Sequence, residues 1–245
     1  MGISKNQIKL VQSLRLKKNR SKQQLFVAEG VKVVQELLAS SFELDALYVE
    51  DRHSAIFSAF PFQDISEQEL KKISALKSPN GVLALFRIPE SNTTIETGLT
   101  VALEDINDPG NLGTIIRLCD WYGVKNLVCS SNTVDCYNEK VVQATMGSLS
   151  RVTITYCELD TFLSSYDGPI FSADMEGENI YKTEVPSDGV LVMGNEANGI
   201  SESIKNTCTQ SLTIPRFGAD TVTESLNVAT ATAILLSEFR RSLNE

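Results

Sequence analysis

Between Leu99 and Arg240 short apolar runs alternate with amphipathic stretches of helical period, and this alternation narrows the possible folds more than any other feature of the chain. Strands are expected at Leu99–Leu103, Asn126–Cys129, Val152–Tyr156, Ile170–Ala173, Val190–Met193 and Leu212–Ile214. Helices are expected at Leu112–Tyr122, Lys140–Gly147, Leu159–Tyr166 and Leu226–Arg240. Parallel strands need long crossovers, and helices supply them. The pattern therefore implies an α/β fold with a parallel sheet and helices on both faces. Val190-Leu-Val-Met193 contains no polar residue, as a strand buried on both faces requires.

Upstream the pattern describes a smaller α/β unit. Asn6–Leu16 and Val31–Leu38 have helical periodicity, Leu25–Ala28 is a short apolar run, and Leu44–Val49 and Gly81–Phe86 read as strands. Lys17–Gln24 reads as a polar, basic break. Ile88-Pro-Glu-Ser-Asn-Thr-Thr94 has linker composition, which sets the expected domains at 1–90 and 98–245. The chain's formal charge of −9 is unevenly spread. Residues 1–40 hold eight Lys and Arg against Glu29 and Glu36, a net +6, and the rest carries −15. Local field rather than total charge steers a polyanion. Lys17, Lys18, Arg20 and Lys22 are thus candidate phosphate contacts, and equally a solvated helix face.

Several chemistries are excluded by what is missing. No run approaches the ~20 apolar residues that span a bilayer, and Met1–Arg20 has no apolar signal core, so a cytoplasmic protein without a membrane partner is expected. Five cysteines, none in a C-x-x-C pair, suit reduced core thiols rather than a disulfide framework or a zinc site. His53 is the only histidine, so neither a histidine-based triad nor a histidine metal site is expected, and no metal is assigned. G-x-G-x-x-G and G-x-x-x-x-G-K-[ST] are both absent, which removes the usual dinucleotide turn and the P-loop.

Three segments stand out at the ends of expected strands, where open parallel sheets bind ligands. In Leu103-Glu-Asp-Ile-Asn-Asp-Pro-Gly-Asn-Leu-Gly-Thr-Ile-Ile-Arg117 a strand enters a Pro-Gly turn and then a helix capped near Asn111. Alone it reads as easily as an Asn cap followed by a surface Arg. In Val190-Leu-Val-Met-Gly-Asn-Glu-Ala-Asn-Gly-Ile-Ser201 the strand ends at Gly194, and Gly and Asn residues expose backbone groups before a helix near Ser201. In Leu212-Thr-Ile-Pro-Arg-Phe-Gly-Ala-Asp-Thr-Val-Thr-Glu-Ser-Leu-Asn-Val-Ala229 a strand and a polar loop lead into a long final helix expected to begin at Ser225.

In order and spacing, N-x-G-x-x-x-R, G-N-E-x-x-G-I-S and I-P-x-x-G…S-L-N-V-A resemble the three motifs of the SpoU/TrmH-type RNA 2′-O-ribose methyltransferases, a branch of the SPOUT superfamily. Lys17-Lys-Asn-Arg-Ser-Lys…Leu25-Phe-Val-Ala-Glu-Gly30 is similar to the RNA-binding domain that often precedes them, so the resemblance covers nearly the whole chain. It implies a parallel sheet whose C-terminal part forms a trefoil knot, dimerisation through that domain, and S-adenosylmethionine as cofactor. By motif match Asn111, Arg117, Glu196, Ser225 and Asn227 would form the catalytic constellation. Gly194, Asn195, Ile214 and Leu226 would line the cofactor site, with Met146, Gly147 and Ser148 as further candidates. Ribosomal RNA is favoured over transfer RNA as substrate. Arg216 stands where the family often has Met, the stretch from Ile214 to Ser225 is longer than in many members, and Ala229 replaces a common Ser. A non-catalytic RNA-binding or ribosome-assembly factor of the same fold is the alternative reading.

Overall fold

The computed structural model describes residues 2–90, 96–195, 197–218 and 225–241. They form two compact units, Met1–Glu90 with Asp135–Ser150, and Ser91–Val134 with Arg151–Glu245.

In the first unit α1 (Lys5–Ser13) opens with a capping box, in which the Ser4 hydroxyl accepts the Gln7 amide and the Gln7 side chain accepts the Ser4 amide. The expected break that follows is a helix, α2 (Lys17–Gln23). Lys, Arg and Gln are good helix formers, and a polar helix leaves no apolar period to detect. Next come β1 (Leu25–Glu29), α3 (Val31–Leu38), β2 (Leu44–Val49), β3 (Gln63–Asp64), α4 (Glu67–Ile73) and β4 (Val82–Arg87). The sheet order is β1-β4-β2-β3, with β3 parallel to β2 and the other pairs antiparallel. Leu25 and Val27 of β1 join Val11, Leu14, Leu70 and Leu85 in one core.

The second unit is built from β5 (Leu99–Leu103), α5 (Pro109–Trp121) and β6 (Asn126–Ser130). The chain then contributes α6 (Glu139–Thr145) to the first unit. It returns with β7 (Thr153–Cys157), α7 (Leu159–Ser164), β8 (Ile170–Asn179), β9 (Gly189–Met193), α8 (Glu202–Lys205), β10 (Gln210–Thr213) and α9 (Val228–Arg241). All adjacent strands are parallel in the order β10-β8-β9-β5-β6-β7. The parallel α/β sheet expected from the alternation is therefore present. Strands β5, β6 and β9 are buried along their whole length, with helices covering both faces. Ala102, Val190 and Val192 pack with Leu159, Leu163 and Ile204 of α7 and α8. Helices α5 and α9 pack together as a second helix layer, and Phe239 of α9 meets Phe171 of β8 edge to face at 5.3 Å.

The segment 135–150 covers the other face of β1. Tyr137 lies 4.9 Å from Phe26, and α6 packs along the strand. Asp135 receives Nε of Arg20 at 2.9 Å, while Nη1 of Arg20 donates to the carbonyls of Leu14 and Arg15. Arg20 is 3% exposed. A guanidinium is tolerated there because its donors are paired, and this corrects its expected place among the RNA contacts. Gly147, two residues after α6, has φ +98°, and a Cβ there would come within 2.4 Å of the Glu36 Cβ. Only glycine fits both that dihedral and that gap.

Candidate active site

The carboxyl ends of β5, β9 and β10 bring the three sequence segments together. After β5, Asp105 takes a left-handed conformation, φ +54°, that side chains other than glycine seldom adopt. Its surroundings hold it there. The Asp105 carboxylate accepts from the Ser130 hydroxyl at 2.7 Å, its amide donates to the same oxygen at 2.9 Å, and its carbonyl accepts from Asn195 Nδ2 at 2.7 Å. Three strand ends are thereby tied at one residue.

Asp108, not Asn111, caps α5. Its carboxylate accepts the Asn111 amide at 2.8 Å, and Pro109 fills the first helical position. That correction frees the Asn111 side chain for another use. Asn227 Nδ2 donates to Asn111 Oδ1 at 2.9 Å. The oxygen of the same Asn227 amide accepts from Ala229 and Thr230, and its carbonyl accepts from Ala231. Helix α9 thus starts at Val228 with Asn227 as its cap, rather than at Ser225. Arg117 lies exposed on α5, and among the described residues no carboxylate pairs with it. Ser225 is exposed next to this junction. Glu196, expected in the same constellation, lies outside the described residues.

Beside Asn227 is a cavity of about 730 Å³ lined by parts of β8, β9, β10, α8, α9 and their loops. Gly194, Asn195, Ile214 and Leu226 all line it, as does Ser225. Gly194 is required by packing: a Cβ would stand 2.4 Å from the Gly199 carbonyl carbon. The amide of Asn195 is already engaged, donating to Asp105 and accepting from Ala197 and Asn198, so it shapes the loop. Met146, Gly147 and Ser148 belong to the first unit and are not among the lining residues.

Two lining residues escaped sequence reasoning. Lys205 Nζ meets Asp174 Oδ2 at 2.5 Å, and Asp174 Oδ1 also accepts the Met175 amide at 2.6 Å. Burial works to raise the Asp174 carboxyl, but Lys205 and the backbone amides overcome it and hold the group below the usual aspartate value. The same ion pair raises the Lys205 ammonium. Neither residue lies in a motif, and only the fold joins them. Asp108 did leave a signal, because Asp-Pro is a common helix start.

Among the described residues no group of His, Cys, Asp or Glu is arranged to hold a metal ion, and no helix is long and apolar enough to cross a membrane. None of the five cysteines is in a disulfide, and burial pushes the Cys119 thiol up to about 12.

A family model described as the SpoU rRNA Methylase family matches residues 98–237, and one described as the MRM3-like substrate binding domain matches residues 5–84. The chain is 29% identical over 253 residues to the 23S rRNA (guanosine(2553)-2′-O)-methyltransferase RlmP of Bacillus subtilis, with 97% of each chain covered. It is 32% identical over 151 residues to the 23S rRNA (guanosine-2′-O-)-methyltransferase RlmB of Neisseria meningitidis serogroup B, covering 60% of this chain and 59% of that one. A solved structure from Porphyromonas gingivalis, assigned to the TrmH family of RNA methyltransferases, superposes with a TM-score of 0.90 at 36% identity over 98% of this chain and 99% of that chain. An AdoMet-bound rRNA methyltransferase from Sinorhizobium meliloti gives 0.87 at 27% identity over 99% and 98%.

Proposed function

Because this chain belongs to the SpoU rRNA methylase family, we infer that it transfers a methyl group from S-adenosylmethionine to a ribose 2′-hydroxyl of ribosomal RNA. The observation that carries this reading is the Asn111–Asn227 hydrogen bond, which joins the first and third motifs beside the cavity. Both curated relatives have guanosine of 23S rRNA in their names, so a guanosine is the first nucleotide to seek.

The cavity suits the cofactor in size and chemistry. Its volume falls in the range of small-molecule sites, ~300–1,000 Å³. Leu212, Ile214 and Leu226 supply apolar wall for a flat base, while Lys205, Asp174 and Arg216 supply charged partners for an amino-acid tail. Once bound, that cofactor supplies a methyl group activated by an adjacent positive sulfur. The chain must position the ribose in line and assist loss of its hydroxyl proton. Arg117 remains protonated, since guanidinium pKa values exceed ~12. Its role is to grip the phosphate beside the target ribose with two parallel donors, and it takes part in moving the hydroxyl proton only with that phosphate's help. Ser225 and Asn227 orient the ribose or the cofactor's carboxylate, and Glu196 has a positioning role rather than that of a base.

The same reading extends to architecture. The domains are 1–90 for RNA binding and 98–245 for methyl transfer, with the C-terminal part threaded as a trefoil knot and two copies joined through that domain in the cytoplasm. The exposed cations Lys17, Lys18 and Lys22 supply sequence-independent phosphate contacts. Mass spectrometry of ribosomal and transfer RNA nucleosides, from cells with and without the gene, tests the function. One 2′-O-methylated nucleoside should vanish from ribosomal RNA on deletion, return with the wild-type gene, and stay absent with Asn227→Ala. If ribose methylation is identical in both strains, the enzymatic reading gives way to RNA binding alone.

A further inference from the structure

The rim of the cavity holds an aromatic pair that methyl transfer by itself does not require. Phe217 is 86% exposed and Tyr181 43%. Their ring centroids are 6.4 Å apart with an interplanar angle of 33°. Phe217 lies in the loop after β10 and lines the cavity. Tyr181 sits in the 3-10 turn Ile180–Lys182, fixed by the Asn179 side chain on its amide at 3.0 Å and by the buried Ile180. Two segments far apart in sequence thus meet through their rings and still leave both open to solvent. A packing contact would bury such rings, because buried apolar area is what stabilises it.

Each ring has a cation as its chain neighbour. Arg216 precedes Phe217 and Lys182 follows Tyr181, and both cations are exposed. Arg216 Nη2 also reaches Met175 Sδ, at 3.7 Å on the same rim. Exposed aromatics interleaved with cations are how proteins hold unstacked bases, since every base offers a π-face and a guanidinium also stacks. Glu176 and Glu178 of β8 are exposed nearby in sequence and disfavour a close phosphate. The rim therefore suits base faces better than backbone.

We propose that Phe217 and Tyr181 form a stacking platform for an unpaired nucleobase of the RNA substrate, next to the ribose that is methylated. This rests on the RNA-methyltransferase reading and adds which part of the RNA is engaged. The target nucleotide lies in a loop, bulge or opened strand, because a regular duplex keeps its base faces covered.

The full chain is mixed with a single-stranded oligoribonucleotide carrying 2-aminopurine, whose fluorescence is quenched on stacking. Wild type should quench it. Phe217→Ala should lose most of the quenching and bind about tenfold more weakly, Tyr181→Ala should show a smaller loss, and Phe217→Trp should restore both readouts. Equal quenching and affinity in wild type and Phe217→Ala would overturn the proposal. So would a Phe217→Ala protein that changes only its oligomeric state in light scattering, which assigns the rim to a second copy, or one that changes only its cofactor affinity. Methyl transfer to unmodified 23S rRNA is measured in parallel. Phe217-dependent stacking without any transfer leaves the platform standing and removes the methyltransferase reading, and the converse result removes only the platform.

Discussion

Asn111 and Arg117 are six positions apart on one helix, yet the fold gives them opposite surroundings. Asn111 is held by Asn227, while Arg117 projects from α5 with no carboxylate to neutralise it among the described residues. An exposed guanidinium with no acid paired to it among the described residues is open to a phosphate, and its planar fork gives it more than charge. Arg117→Lys should therefore lower kcat/KM on ribosomal RNA about tenfold or more while leaving cofactor affinity, measured by calorimetry, unchanged. Turnover close to wild type would refute bidentate phosphate gripping. The resemblance to the family motif made both residues visible as candidates. It could not show Asp105, whose importance comes from a positive φ and from contacts to Ser130 and Asn195. Those partners are supplied by strand ends distant in the chain, so no local pattern announces them.

Among the described elements, each strand of the parallel sheet overlaps an expected one. However, β8 runs on to Asn179 past the expected Ala173, and β10, Gln-Ser-Leu-Thr, shares only Leu212 and Thr213 with its expected span because it is not an apolar run. The helices were read by apolar period, and the method failed where that period was absent. α2 is held by intrinsic propensity and by one buried residue, Arg20. α4 was overlooked although Ser66 and Glu69 form a capping box at its start. The fold also divides the cations of α2 into two kinds. Lys17, Lys18 and Lys22 are exposed, and Arg20 is enclosed by Asp135 and two carbonyls. Replacing the three lysines by Glu should weaken RNA binding and flatten its salt dependence, with little change in thermal stability. Arg20→Ala should instead destabilise the chain by roughly 3–5 kcal/mol in urea denaturation, since it leaves Asp135 unpaired. If Arg20→Ala weakens RNA binding with stability intact, the division fails.

On the scale of the molecule, the sequence linker near residue 90 is real in composition but does not mark a clean structural division. Residues 135–150 come from within the span that matches the methylase family, yet they pack with the first unit. Tyr137 and α6 complete the cover over β1, where Phe26 also meets Phe42 of the N-terminal residues. Periodicity identifies α6 as a helix, but nothing in its own sequence states which sheet it will join. A fragment of residues 1–90 should therefore unfold well below the full chain's midpoint and bind the dye ANS, which reports exposed apolar surface. Addition of 135–150 through a flexible tether should reverse both. A fragment 1–90 as stable as the intact chain would show that the segment is dispensable.

That borrowed segment also sets the order of events on the ribosome. Synthesis proceeds at about 5–20 residues per second, and domains generally fold from the N-terminus as they emerge. The first unit has to wait for about sixty more residues after position 90, or roughly 3–12 s, before Asp135 can reach Arg20 and α6 can reach β1. During that interval the aromatic face of β1 is open to chaperones and the Arg20 guanidinium has no counter-ion. A nascent chain stalled near residue 100 should thus be a better chaperone client than one stalled beyond 180.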